Sequence, residues 1–296
     1  MARAQSNGIN IEYEETGSGE PLVLIMGIGT QLVHWPDRFV GLLADSGFRV
    51  IRFDNRDMGK SSHLKALGVP NVRKAIAYRL AGRKIQAPYL LTDMAQDVFG
   101  LMDSLGIDRA HVAGISMGGM IAQTMAIMDA EAGGGRMKSL TSMMSSTGDR
   151  RYLVAKPGAL KALLGAPPRT REESQARMLT IMHALAAKGQ PLDDDELRKI
   201  GGQAYDRGLN PAGFARQFAA ILASGSRRKA LKRVTLPTLV IHGASDPLIP
   251  ASAGRATARA IPNSRLEVID GMGHIMGTGH FERLTGLITG HAHAAS

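Results

Sequence analysis

The feature that most limits how this chain can fold is the alternation of short apolar runs with longer segments of helical periodicity. Short runs rich in Val, Ile and Leu are typical of buried strands, and strands that alternate with helices favour a parallel sheet covered on both faces. The strand-like runs are residues 8–15, 21–27, 49–54, 110–114, 139–145, 238–243 and 265–270. The sequence therefore predicts an α/β fold with a mainly parallel sheet.

The start of the chain departs from this pattern. Residues 16–20, Thr-Gly-Ser-Gly-Glu, separate the first two strand-like runs. A short glycine-containing link between two strand-like runs is typical of a hairpin. We therefore expect an antiparallel start, with the first two runs paired to each other.

A long interval separates the runs at 139–145 and 238–243. Loops in α/β units usually span about 2 to 6 residues, so this interval must contain structure of its own. Residues 172–188 show helical spacing, with one apolar face formed by Ala176, Leu179, Met182, Leu185 and Ala186. Asn210 and Pro211 are typical of a helix cap followed by a first-turn proline. We predict a helical cap at 147–234, inserted into a discontinuous core formed by 1–146 and 235–296.

Composition excludes several classes of protein. The 296 residues include no cysteine, so disulfides, zinc–thiolate sites and thiol nucleophiles are ruled out. The N-terminus lacks the apolar core of a signal peptide, and no run of about 18 apolar residues could span a membrane. We expect a cytoplasmic protein with no membrane association.

The net charge of +10 is concentrated in one part of the chain. Residues 149–234 contain 17 Lys and Arg against 8 Asp and Glu. These basic residues are not interleaved with aromatic ones, and no nucleic-acid-binding motif is present, so we expect no nucleic-acid partner. Basic helical faces are usually solvated surfaces, and the alternative is that they favour an anionic substrate.

Ser116 lies in the sequence Gly-Ile-Ser-Met-Gly-Gly at 114–119, between a strand-like run and a helical segment at 120–128. A Gly-x-Ser-x-Gly sequence at such a sharp turn is typical of a nucleophile elbow, in which the serine hydroxyl is exposed at the carboxyl edge of a sheet. Gly114 and Gly118 supply the small residues that the turn needs. Ser116 is therefore the candidate nucleophile.

A serine nucleophile needs a histidine base and an acid that orients it, and in this type of fold they follow in the order Ser, Asp, His. Asp246 and His274 each follow a predicted strand, in that order. We predict a triad of Ser116, Asp246 and His274, with Asp149 and His280 as the fallback acid and base.

Backbone N–H groups are expected to stabilise the oxyanion that forms when a serine attacks a carbonyl. Met117, at the start of the helix, is one predicted donor. Ile28 is the other, because the glycines at 27 and 29 allow N–H groups in that loop to point inward.

Methionines recur close to these positions in the sequence. Met26, Met120, Met272 and Met276 are expected to form an adaptable apolar pocket wall, with ordinary core packing as the alternative.

Together these motifs resemble the α/β-hydrolase superfamily over essentially the whole chain. The matching residues are Met26 to Gly29, Phe53 to Ser61, the elbow at 114–119, His242 to Asp246 and Gly271 to His274. The sequence looks most like small bacterial carboxylesterases of the aclacinomycin-methylesterase type and like cofactor-free haloperoxidases. Many relatives have His-Gly where this chain has Met26-Gly27, which weakens the carry-over of the oxyanion role to Ile28.

The resemblance implies an eight-stranded sheet and a serine hydrolase that cleaves small-molecule carboxylic esters through an acyl-enzyme, without metal or cofactor. Perhydrolysis, or hydrolysis of a carbon–carbon bond by the same triad, is the alternative activity. A ligand receptor without turnover is the alternative from a different class. The substrate and the oligomeric state stay open at this point, a homodimer included.

Overall fold

The computed structural model describes residues 1–152 and 154–296 and contains an eight-stranded sheet. The strands are β1 (Ala2–Ser6), β2 (Ile9–Thr16), β3 (Glu20–Ile25), β4 (Phe48–Phe53), β5 (Ala110–Ile115), β6 (Met137–Met143), β7 (Thr238–Gly243) and β8 (Ser264–Ile269). Their spatial order is β1-β2-β4-β3-β5-β6-β7-β8. β2 is antiparallel to both of its neighbours, and β3 to β8 are parallel. The predicted α/β fold with a mainly parallel sheet is confirmed.

The predicted hairpin between the first two runs is wrong, although the start of the sheet is antiparallel. β2 pairs instead with β1, a strand that the sequence analysis did not predict, and with β4. The turn between β1 and β2 is Asn7-Gly8, whose φ values of 48° and 76° suit a tight hairpin. The link at 16–20 leads to β3, on the far side of β4.

Helices cover both faces of the sheet. They are α1 (Asp37–Asp45), α2 (Val72–Leu80), α3 (Leu91–Ser104), α4 (Met117–Glu131), α5 (Pro157–Leu163), α6 (Arg171–Leu185), α7 (Asp194–Arg207), α8 (Pro211–Ser224), α9 (Arg228–Leu231), α10 (Ala251–Ala260) and α11 (Phe281–His293). Side chains from α3, α4 and α10 form one apolar core with the strands, and those from α1 and α11 form the other. No helix in the described part of the chain is both long enough and apolar enough to cross a membrane.

The segment between β6 and β7 is helical, with α5 to α9 in it. Asn210 caps α8, because its side chain accepts a hydrogen bond from the Gly213 N–H at 3.0 Å. The apolar face predicted for 172–188 is wrong in part: Ala176 is exposed, whereas Ser174 and Met178 are buried. The buried face is set by packing against α7, where the Ser174 hydroxyl donates to the Gly201 carbonyl at 2.8 Å.

Candidate active site

Ser116 lies between the end of β5 and the first residue of α4. Its φ of 56° and ψ of −117° are unusual for a residue other than glycine, and such strained backbone is concentrated at functional sites. A Cβ on Gly118 would collide with the Ile25 carbonyl oxygen, and a Cβ on Gly114 would collide with the Gly118 carbonyl oxygen. The two glycines therefore allow the strand, the turn and the helix to approach this closely.

His274 and Asp246 meet Ser116 at the same edge of the sheet. His274 Nε2 lies 3.0 Å from Ser116 Oγ, and His274 Nδ1 lies 2.7 Å from Asp246 Oδ2. Asp246 follows β7 and His274 follows β8, so the fold brings all three together from the carboxyl ends of parallel strands. The structure thus places the three predicted residues in one hydrogen-bonded line.

Asp246 is buried and held by several groups. Its Oδ1 accepts hydrogen bonds from the N–H groups of Leu248 and Ile249, each at 2.8 Å. His242 Nε2 lies 3.2 Å from Oδ2. Burial alone would raise the pKa of Asp246, but His274 and His242 together hold that pKa well below its usual range. The resulting carboxylate favours a proton on His274 Nδ1, which leaves Nε2 free to accept the Ser116 proton.

The fallback acid and base, Asp149 and His280, lie in other parts of the structure. Asp149 accepts hydrogen bonds from Ser226 Oγ at 2.6 Å and Thr147 Oγ1 at 3.1 Å. His280 directly precedes α11. It is Asp246 and His274, and not this pair, that contact each other and Ser116.

The loop after β3 lies against Ser116. A Cβ on Gly27 would be 3.5 Å from the Ser116 Cβ. The loop is fixed from two sides, because Asn55 Nδ2 donates to the Met26 carbonyl at 3.1 Å and the Gly29 N–H donates to Gln217 Oε1 at 2.9 Å. Gln217 lies on α8, a contact that the sequence analysis missed since nothing local to that residue indicates its partner.

Of the two predicted oxyanion donors, Met117 directly follows Ser116 in the chain, and Ile28 lies in the loop after β3. Met117 is the first residue of α4, so its N–H has no carbonyl partner within the helix. The N–H of Ile28 makes no hydrogen bond to any described residue. Neither N–H group is therefore engaged by a described acceptor.

Ser116 and His274 open into a cavity of about 660 Å³ whose walls are mainly apolar. Of the four methionines expected in a pocket wall, Met26 and Met276 are in the cavity lining, and Met26 also packs in a sheet core. Met120 and Met272 pack in the two sheet cores. Side chains from the inserted helices also line the cavity, a contribution not predicted from the sequence, and they include Met178, Ile181, Met182, Leu185 and Phe214.

Polar side chains in this wall that were not predicted include those of His34, Arg73 and Arg177. The Gln31 N–H donates to His34 Nδ1 at 3.0 Å. Burial lowers the pKa of His34 to about 4, and the nearby Arg207 cation acts in the same direction. His34 is therefore a neutral imidazole at pH 7.

The structure combines a nucleophile elbow with a histidine and an acid at the carboxyl edge of a mainly parallel sheet, under inserted helices. This combination defines the class of α/β hydrolases. The family model of the alpha/beta hydrolase fold matches residues 20–278, and the chain belongs to this family.

Known relatives agree with this class. Rhodomycin D methylesterase from Streptomyces sp. (strain C5) is 31% identical, over 93% of this chain and 92% of its own length. A 2-hydroxy-6-oxononadienedioate/2-hydroxy-6-oxononatrienedioate hydrolase from Cupriavidus pinatubonensis is 28% identical, over 89% of this chain and 84% of its own. The meta-cleavage product hydrolase of Pseudomonas fluorescens IP01 shares the fold, with a TM-score of 0.74 and 21% identity over 100% of this chain and 98% of that one.

Proposed function

We propose that the protein is a carboxylesterase in which Ser116 is the nucleophile, His274 the general base and Asp246 the residue that orients His274. The observation that carries this proposal is the line of hydrogen bonds from Asp246 through His274 to a strained serine that faces an apolar cavity. A neutral serine hydroxyl is a weak nucleophile, and an oriented imidazole within hydrogen-bond reach is what activates it.

The reaction follows from this geometry. His274 Nε2 takes the Ser116 proton as Oγ attacks the ester carbonyl, and the imidazolium that forms is stabilised by the Asp246 carboxylate. The N–H groups of Met117 and Ile28 hold the developing oxyanion. His274 then protonates the leaving alcohol. Water, activated by the same imidazole, hydrolyses the acyl-enzyme and regenerates Ser116.

An ester is the substrate class best supported among the alternatives. The relative with 31% identity is named as a methylesterase. The cavity wall is mainly apolar and includes flexible methionines, which suit an acyl group of variable shape. Cleavage of a carbon–carbon bond by the same three residues is the competing activity. The relative from Cupriavidus pinatubonensis is named as a 2-hydroxy-6-oxononadienedioate/2-hydroxy-6-oxononatrienedioate hydrolase.

The test compares hydrolysis of p-nitrophenyl acetate, butyrate, octanoate and palmitate by the protein and by Ser116→Ala and His274→Ala. We expect turnover of at least one ester, and a loss of about a thousandfold or more in kcat for both variants. Ser104→Ala, at an exposed serine on α3, is the matched control and should keep full activity. A folded protein that is inert on all four esters, or a Ser116→Ala variant that stays active, would contradict the proposal.

A further inference from the structure

The guanidinium of Arg177 lies in the cavity wall and has few hydrogen-bond partners among the described residues. It lies on α6 and is half-buried. Its Nη2 donates one hydrogen bond, to the Leu163 carbonyl at 3.2 Å. A Cβ on Gly165 would lie 2.7 Å from its Nη1. Leu163 and Gly165 both line the cavity, so the charged end of Arg177 is at the cavity surface.

Several other arginines with buried side chains are paired with carboxylates. Examples of these ion pairs are Arg56–Asp97 at 2.5 Å, Arg207–Asp54 at 2.5 Å and Arg216–Asp57 at 2.6 Å. Arg227 is buried without an ion pair to a described carboxylate, but it donates to the Ser146 carbonyl at 2.8 Å and to Gln123 Oε1 at 3.3 Å. Within residues 1–152 and 154–296, no carboxylate lies within ion-pair distance of Arg177. The described cavity lining also contains no Asp or Glu.

An unpaired guanidinium beside apolar side chains is costly, because the cation loses water without gaining a counter-charge. Burial accordingly lowers the pKa of Arg177, and no acidic neighbour opposes that shift. An arginine nevertheless stays charged in a protein. The missing counter-charge is what an anionic ligand in the cavity would supply.

We propose that Arg177 is the binding site for a carboxylate on the substrate, so that the preferred ester carries a free carboxylate at the far end of its acyl chain. This inference rests on the proposed esterase function and narrows its substrate class. A guanidinium binds a carboxylate through two parallel N–H···O hydrogen bonds, which gives both affinity and orientation.

The fold sets the spacing between the two ends of such a substrate. The His274 N–H donates to the Leu185 carbonyl at 2.8 Å, so the C-terminal end of α6 adjoins the histidine that contacts Ser116. Arg177 lies eight residues earlier on the same helix, which corresponds to about 12 Å along its axis. Ile181 and Met182 line the cavity between these ends. This backbone spacing favours a medium-length acyl chain with a terminal carboxylate, and the sebacic ester represents that length in the test.

A second arginine, Arg73 on α2, also lines the cavity. Its side chain is exposed. An exposed guanidinium keeps its water, so a carboxylate gains less by binding it than by binding Arg177. The test must nonetheless separate the two arginines.

The kinetic test uses p-nitrophenyl monoesters of succinic, adipic and sebacic acid, with p-nitrophenyl decanoate as the uncharged match for the sebacic ester. We expect the sebacic ester to have the highest kcat/KM of the charged series. Arg177→Gln should lower kcat/KM for that ester about tenfold or more, and should leave the decanoate within about twofold. Arg177→Lys should retain part of the preference. Arg171→Gln, at an exposed arginine on the same helix, should change neither ester.

A binding measurement makes the test independent of turnover. Calorimetric titration of Ser116→Ala with monomethyl sebacate should give saturable binding, and adding Arg177→Gln should weaken it about tenfold or more. An unchanged ratio of charged to uncharged ester in Arg177→Gln, unchanged binding, or loss of the preference in Arg73→Gln instead would overturn the assignment. Failure of the esterase proposal looks different, because the decanoate would then also stay intact.

Discussion

At the scale of single residues, Asp246 uses its two carboxylate oxygens differently. Oδ1 accepts two backbone N–H groups and so fixes the turn after β7. Oδ2 faces His274 Nδ1 at 2.7 Å. The turn and the imidazole are therefore held by separate atoms of one side chain, and a substitution can remove the second role while keeping the first.

Asp246→Asn makes that separation. The amide oxygen can still accept the two N–H groups, whereas the amide nitrogen then faces His274 Nδ1 and favours the tautomer in which Nε2 carries the proton. We expect kcat on p-nitrophenyl esters to fall about 10³- to 10⁴-fold, with little change in Tm. Asp270→Asn, at an exposed aspartate after β8, should leave both quantities unchanged. A fall of less than tenfold in Asp246→Asn would show that this carboxylate does not orient the base.

At the scale of elements, β5 and α4 meet more closely than side chains normally permit. β5 is buried along its whole length, and α4 begins directly after Ser116. The first turn of α4 packs against the backbone at the end of β3, where Gly118 faces the Ile25 carbonyl. The strain at Ser116 is thus maintained by contacts between three secondary-structure elements.

Gly118→Ala tests this close approach. The added methyl group would collide with backbone, which cannot move aside as a flexible side chain can, so α4 must shift away from β3. We expect a loss of about 1 to 3 kcal/mol in the free energy of unfolding, together with reduced kcat.

Gly286→Ala is the matched control for that substitution. Gly286 lies on an exposed position of α11, and a Cβ there would meet nothing within 4 Å. This variant should gain about 0.5 to 1 kcal/mol, since alanine favours a helix more than glycine does. Urea unfolding measures both variants, and equal stabilities for the two would refute the packing argument.

At the scale of the whole molecule, buried ion pairs join the inserted helices to the sheet. Asp57, in the loop after β4, pairs with Arg216 of α8 at 2.6 Å and accepts a hydrogen bond from the Tyr89 hydroxyl at 2.8 Å. Burial alone would raise the pKa of Asp57, but the contacts with Arg216 hold it below its usual range. Gln217 of α8 also accepts a hydrogen bond from the loop that carries Ile28, so α8 contacts both Asp57 and the loop beside Ser116.

Removing one charge of this pair should be more costly than removing both. Arg216→Met leaves the Asp57 carboxylate buried without a counter-charge, and we expect a loss of about 3 to 5 kcal/mol in the free energy of unfolding. Asp57→Asn added to Arg216→Met should recover part of that loss, because an amide tolerates burial better than a carboxylate does. Urea unfolding of the two single variants and the double variant measures the coupling, and simple additivity would count against a buried pair.

Much of the candidate site could be predicted because its signals are local. Ser116 is recognised by its flanking glycines, and Asp246 and His274 by the strands that each of them follows. Parallel strands end at one edge of their sheet, so residues that follow such strands come together even when they are far apart in sequence. The partner of β2 had no such signal, since a short glycine-rich link does not specify which strand lies next to it.

By itself, then, the sequence determined the α/β class, the strand–serine–helix turn and the order of the three polar residues, because each depends on periodicity and turn chemistry within a few positions. Only the tertiary structure decided that Met26 and Met276 line the cavity, Met26 while it also packs in a core, whereas Met120 and Met272 are in the cores and not in the cavity lining. It likewise decided that Arg177 has no carboxylate partner among the residues that the structure describes. Which neighbour a side chain meets depends on how distant helices pack against the sheet, and no local pattern encodes that packing.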